Sequence, residues 1–387
     1  MSVAFTRRAC LVGTAAVALI GVLPAAARAQ KKLPSPMDRI EEWFKILPKA
    51  LQYWKVVPHE EDPLRVSLVP KDPPKKGPLK KIMVFYPRKS TAYDISTTEI
   101  LVAFHDKGIA STFEIVNFDR KTTRGNALVD EAEREGYALI FSTGSQSTAW
   151  LWKHRRNGKV PIVSVCSKDP VQLGQVKSYD RGSGVNFAFT SLNVLIGVQM
   201  AYLRTLKPKL KNIAILVDSK NISAVKTQSL PLIEAAKPEG IEAFQVAVQD
   251  PKKAKEELAE LVPQAIERMR KTDPELKNSL FWITGSTSVF VEIKTINDHA
   301  GKVPVLSVVP EIVQKGPDSA VLSIGVSFQS NAQLAAKYGA DIVTGRINPA
   351  KVKVGIVSPP NIAVSFMRAK AIGLQIPFSL FEAADYI

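Results

Sequence analysis

Cysteine is almost missing from this chain, with Cys10 and Cys166 the two among 387 residues. Cys10 falls in a segment expected to be cleaved, so Cys166 stands alone and no intrachain disulfide can staple the mature protein. Histidine is nearly as scarce, at four residues. None of these joins an H-x-x-x-H pair or a cysteine cluster, so no metal site is expected. A nucleophilic Cys166 would need a neighbouring base; within Ile162-Val163-Ser164-Val165-Cys166 it reads instead as a buried strand residue. No G-x-G-x-x-G, Walker A or G-x-S-x-G loop occurs, and Ser145 sits in Thr143-Gly144-Ser145-Gln146-Ser147. Dinucleotide, nucleotide and serine-hydrolase chemistry all lack their usual parts. A non-enzyme is expected, with no catalytic residue and no cofactor.

Acidic residues are in the minority, 36 Asp and Glu against 52 Lys and Arg, for a formal charge of +16. Such a balance can serve nucleic acid, anionic lipid or acidic solutes. The lysines, however, are scattered as pairs (Lys31-Lys32, Lys75-Lys76, Lys80-Lys81, Lys252-Lys253), without a helix-turn-helix, zinc finger or aromatic-studded stripe. They read as a solvated basic surface, and no nucleic-acid partner is expected. One apolar run stands out, Leu11 to Ala27, shorter than the roughly 20 residues a membrane span needs. Arg7-Arg8 precede it and Ala27-Arg28-Ala29 closes it, the form of an export signal over residues 1–29 cleaved near Ala29. The paired arginines resemble a twin-arginine signal, although Cys10 and Val12 stand where an aromatic and a lysine are more usual. Loss of Arg7, Arg8 and Arg28 lowers the charge from +16 to +13, and the protein is expected in the periplasm or otherwise outside the cytoplasm.

Residues 30–80 read as an appendage. Ser35-Pro36 resembles a helix start, and Ile40, Trp43, Phe44 and Leu47 recur at helical spacing, which predicts an amphipathic helix before a Pro- and Lys-rich linker. From Lys81 on, short apolar strands alternate with helices: 82–86, 113–117, 138–142, 162–166, 213–217, 242–248, 280–284, 305–309 and 321–328. This predicts an α/β fold of two doubly wound parallel-sheet lobes. The glycine-rich stretch Asp180 to Val185 marks the expected change of lobe. In open α/β sheets ligands bind beyond the carboxyl ends of the strands. Those ends carry Tyr93 and Asp94, then Thr143, Gly144 and Ser145, then Asp169, then Ser219 and Asn221, and finally Gly285 and Ser286. Each turn has a folding explanation too, since Ser145 or Ser147 could simply cap a helix.

Four stretches carry a family resemblance: Leu139 to Ala149 (LIFSTGSQSTA), Val160 to Gly174 (VPIVSVCSKDPVQLG), Leu206 to Asn221 (LKPKLKNIAILVDSKN) and Ala369 to Ile387. In their order and spacing the chain resembles the substrate-binding proteins of ABC importers with a type I periplasmic-binding fold, in particular the tryptophan/tyrosine-type binding proteins. The resemblance implies a hinged cleft, crossed by the chain near Gly184–Asn186, near Val326–Gln329 and after Ile347–Lys353. Lobe 1 would comprise 81–185 plus about 329–350, and lobe 2 186–328 plus about 351–387. It implies that Thr143, Gly144 and Ser145 offer donors to a carboxylate. Asp169 would accept from an amine or hydroxyl, Ser219 and Asn221 would close from lobe 2, and Tyr93 and Asp94 would stand in the first loop. The chain has Gly285-Ser286-Thr287 where the family commonly places an aspartate, so an amino-acid-like ligand and an organic acid are both open. The partner would be an inner-membrane ABC permease, or a membrane sensor if the protein reports on its ligand instead.

Overall fold

Three strands explain why the interior forms as it does. Lys80–Tyr86 buries its last five residues, and Asn212–Asp218 and Ser279–Ile283 are buried throughout. Unbroken apolar runs of this kind suit strands covered on both faces. The computed structural model describes residues 36–72, 78–381 and 384–386. The expected export signal of residues 1–29, with its Ala29 cleavage site, and most of the Pro- and Lys-rich linker lie outside the described residues.

Residues 36–387 form one compact unit built on two seven-stranded sheets. The first contains β1 (Trp54–Pro58), β2 (Arg65–Pro70), β3 (Lys80–Tyr86), β4 (Ser111–Asn117), β5 (Leu139–Thr143), β6 (Ile162–Val165) and β7 (Phe187–Ala188). Its spatial order is β1-β2-β4-β3-β5-β6-β7. After β8 (Thr190–Ser191) come β9 (Asn212–Asp218), β10 (Glu242–Val248), β11 (Ser279–Ile283), β12 (Val305–Ser307), β13 (Leu322–Gly325), β14 (Gly355–Ile356), β15 (Asn361–Val364) and β16 (Ala384–Tyr386). The second sheet runs β10-β9-β11-β12-β13-β15-β16, and β8 pairs with β14 in a separate two-stranded piece. In each sheet five consecutive strands, β4-β3-β5-β6-β7 in the first and β10-β9-β11-β12-β13 in the second, are parallel in the same winding order. This bears out the expected parallel-sheet lobes; antiparallel pairs join on at one side of each sheet, β1 with β2 and β2 with β4 in the first and β13 with β15 in the second.

The helices are α1 (Pro36–Glu41), α2 (Pro48–Leu51), α3 (Thr91–Asp106), α4 (Thr122–Arg134), α5 (Gly144–Arg155) and α6 (Ile196–Leu206). Then follow α7 (Ile222–Ala224), α8 (Leu230–Ala236), α9 (Ala254–Arg270), α10 (Thr287–Phe290), α11 (Ile293–Ala300), α12 (Phe328–Val343), α13 (Phe366–Ile372) and α14 (Phe378–Phe381). The apolar spacing of α9 shows why such segments coil: Leu258, Val262, Ala265 and Met269 fall on one face and are buried, while Glu256, Glu267 and Arg268 are not. Helix α12 packs on α3, β5 and β6, and Gly339 permits this, because a Cβ there would lie 2.3 Å from the Phe141 ring.

The N-terminal segment differs most from its predicted form. The helix stops at Glu41, the chain turns with Phe44 N–H bonded to Ile40 O, and Pro48 opens a second short helix. Ile40, Phe44, Ala50 and Trp54 all enter the main core. Strands β1 and β2 then extend the first sheet, with Val66 and Leu68 turned inward at period two. Strand β6 also ends one residue early: Cys166 adopts φ 55°, beyond the ladder. The expected strand 321–328 closes at Gly325, and Ser327 caps α12 by accepting from Ser330 N–H.

Candidate functional site

Both sheets run, in their five consecutive parallel strands, second-first-third-fourth-fifth, so each has a switch point between the first and third of those strands. In the first sheet that point lies between the ends of β3 and β5, in the second between those of β9 and β11. A cavity of about 860 Å³ receives residues from both. Arg88, Tyr93, Ser145 and Lys168 enter from the first sheet, Asp218, Asn221 and Gly285 from the second. Phe328, at the start of α12, closes part of the wall.

The turn after β5 spends most of its polar atoms on itself. Thr143 Oγ1 donates to Phe85 O at 2.9 Å, Ser147 Oγ donates to Thr143 O at 2.6 Å, and Ser142 Oγ lies 2.9 Å from Ser147 Oγ. Gly144 takes φ 79°, and a Cβ there would lie 2.2 Å from the Tyr93 hydroxyl. Glycine is required twice over, by the left-handed backbone and by the ring against it. Ser145 faces the cavity and accepts from Lys168 N–H at 2.9 Å.

Lys168 is 7% exposed, and its ammonium reaches from the loop after β6 to Gly285 O at 3.4 Å, bridging residues of the two sheets. Burial depresses it to about 8. Arg88, Arg120 and Lys220 line the same space. The acid among them is Asp218, whose Oδ1 accepts from Lys220 N–H and whose Oδ2 accepts from Ser288 Oγ, both at 2.9 Å. Cys166 also borders the cavity, 2.7 Å from Ser96 Oγ; burial pushes its thiol up to about 12, leaving it protonated and a poor nucleophile.

Of the ten residues singled out from sequence, Tyr93, Ser145, Asn221 and Gly285 line the cavity. Six do not. Asp169 is 2% exposed; its Oδ1 accepts from Val171 and Gln172 N–H and its Oδ2 from the Tyr179 hydroxyl, so a loop turn uses the carboxylate expected to meet ligand. Asp94 turns under α3 to accept Lys45 N–H at 3.1 Å, and burial raises it to about 6. Thr143 and Gly144 shape the turn, as described. Ser219 donates to Gln249 Oε1 at 3.1 Å, away from the cavity. Ser286 is fully buried and accepts from Asn221 Nδ2 at 3.2 Å, holding the β11 turn to the β9 turn. Sequence reasoning missed Lys168, Arg88, Arg120 and Asp218. Lys168 stands directly before Asp169 in the same strand-end turn, and cations clustered in several such turns were the available signal.

No family model matches the chain. A tyrosine-binding protein from Clostridioides difficile (strain R20291) is 22% identical over 279 residues, which cover 70% of this chain and 75% of that protein. Among solved structures, a conserved domain protein from Vibrio cholerae is similar at TM-score 0.64 and 17% identity, over 80% of this chain and 99% of that one. The ABC domain from Streptococcus pneumonia in complex with L-Trp is similar at TM-score 0.62 and 16% identity, over 79% of this chain and 99% of that one. The fold is thus the type I periplasmic-binding fold.

Proposed function

We propose that this chain is an extracytoplasmic, non-catalytic solute-binding protein that captures a small polar molecule between its two halves and delivers it to an ABC permease in the membrane. The observation that carries this reading is the cavity of about 860 Å³ at the carboxyl ends of both sheets, walled from both sides. A solute touching both walls favours the closed arrangement by its differential contacts, and a membrane partner can then distinguish loaded from empty protein. The names of the similar proteins, one tyrosine-binding and one solved with L-Trp, support a binding role.

The test is a thermal-shift screen of amino acids, organic acids, sugars and nucleosides on the wild-type protein, repeated with Ser145→Ala and Asn221→Ala. Ligand stabilisation of several degrees is expected, reduced in both variants. If no compound raises the melting temperature, or if both variants respond like the wild type, the reading fails.

A further inference from the structure

We propose that the solute is a net-anionic carboxylate with an aromatic body, its carboxylate received by the Lys168 ammonium. This rests on the solute-binding reading above and names the class of molecule that the cleft takes. The first ground is Lys168 itself. Its side chain is almost wholly buried yet points into the cavity, and its recorded partner is a neutral carbonyl, Gly285 O, at 3.4 Å. Among the described residues no carboxylate forms a salt bridge with it. An uncompensated ammonium in a low-dielectric site is costly, and an incoming carboxylate would both replace the long bond and supply the missing charge.

The second ground is the balance of charge around it. Arg88, Arg120 and Lys220 line the same cavity against one acid, Asp218. Both oxygens of that acid already accept hydrogen bonds, from Lys220 N–H and Ser288 Oγ. The surplus of three positive charges around the cavity attracts an anion into the cleft and favours a net-anionic solute over a zwitterion. The third ground is the wall. Tyr93, Trp152, Phe290 and Phe328 border the cavity, and flat apolar surface of this kind suits an aromatic ring.

Three probes of matched shape separate the charge classes: 3-phenylpropanoate (anion), L-phenylalanine (zwitterion) and 2-phenylethylamine (cation), each titrated calorimetrically into the full chain. The anion should bind at least tenfold more tightly than the zwitterion, and the amine should give no measurable heat. Lys168→Met should weaken the anion at least tenfold without lowering the melting temperature of the ligand-free protein. Arg88→Gln, at a partly exposed position, serves as a second charge-removing variant and should weaken it several-fold. Tighter binding of L-phenylalanine, any binding of the amine, or unchanged affinity in both variants overturns the inference. If none of the three binds but a sugar or nucleoside does, the inference falls and the solute-binding reading stands. If nothing binds at all, both fall.

Discussion

Gly144 concentrates several demands in one residue. Its φ of 79° favours glycine by about 1–2 kcal/mol over an L side chain, and the Tyr93 ring occupies the space a Cβ would need. Gly174 has a similar φ of 70° with nothing within 4 Å of its Cβ position. The pair separates the two effects. Gly174→Ala should cost the backbone term alone, whereas Gly144→Ala should cost that term and also push Tyr93 from the cavity wall, weakening every ligand of the cleft. Equal losses of stability in urea unfolding, with ligand affinity intact in both, would show that the ring contact is unimportant. The same scale explains why Asp169 misled. A carboxylate after a strand looks alike in sequence whether it meets ligand or closes an Asx turn; its partners Val171, Gln172 and Tyr179 settle the matter through hydrogen bonds.

At the scale of elements, the N-terminal segment is part of the first sheet's architecture. Glu99 of α3 holds it, taking the Lys49 ammonium at 2.8 Å while also accepting from Gln333 of α12 at 3.1 Å. Arg65 of β2 ties the hairpin to Glu114 of β4 and Glu131 of α4. Trp54 is 2% exposed, lies edge-on to Phe113 at 5.1 Å and donates through Nε1 to Leu101 O. Trp54→Ala should therefore destabilise the fold by about 3–5 kcal/mol, measured by urea unfolding. A loss below 1 kcal/mol would mean that the hairpin is only loosely attached. The apolar character of Ile40, Trp43 and Phe44 was legible, although the helix their spacing predicts ends at Glu41, and the period-two pattern of Val66 and Leu68 was too short to stand out between prolines. Pairing with β4 forms this edge, and no local propensity announces it.

At the scale of the whole molecule, the carboxylate of Glu311 links the two halves. Following β12 in the second sheet, it accepts Phe328 N–H at 2.6 Å at the start of α12, which packs on the first sheet. Burial raises Glu311 to about 7 from an ordinary 4.5, against the lowering effect of that hydrogen bond. A carboxyl with a raised folded value binds its proton more tightly when folded. Its contribution therefore favours the fold below about 4.5 and is lost as pH climbs to about 7. Glu311→Gln keeps an acceptor for Phe328 and removes the charge, so the variant should gain on the order of 1–3 kcal/mol over wild type at pH 8 and little at pH 4.5. A stability difference independent of pH would refute the assignment. The sequence by itself determined the α/β alternation and the polar strand ends, because buried strands need unbroken apolar runs and backbone leaving a sheet needs hydrogen-bonding turns. Only the tertiary structure decided which turn atoms remain for a ligand. Asp169 and Thr143 find partners within the first half, whereas Lys168 reaches across to Gly285, 117 positions away in the chain. Such satisfaction depends on neighbours supplied by the fold, and local spacing carries no trace of it.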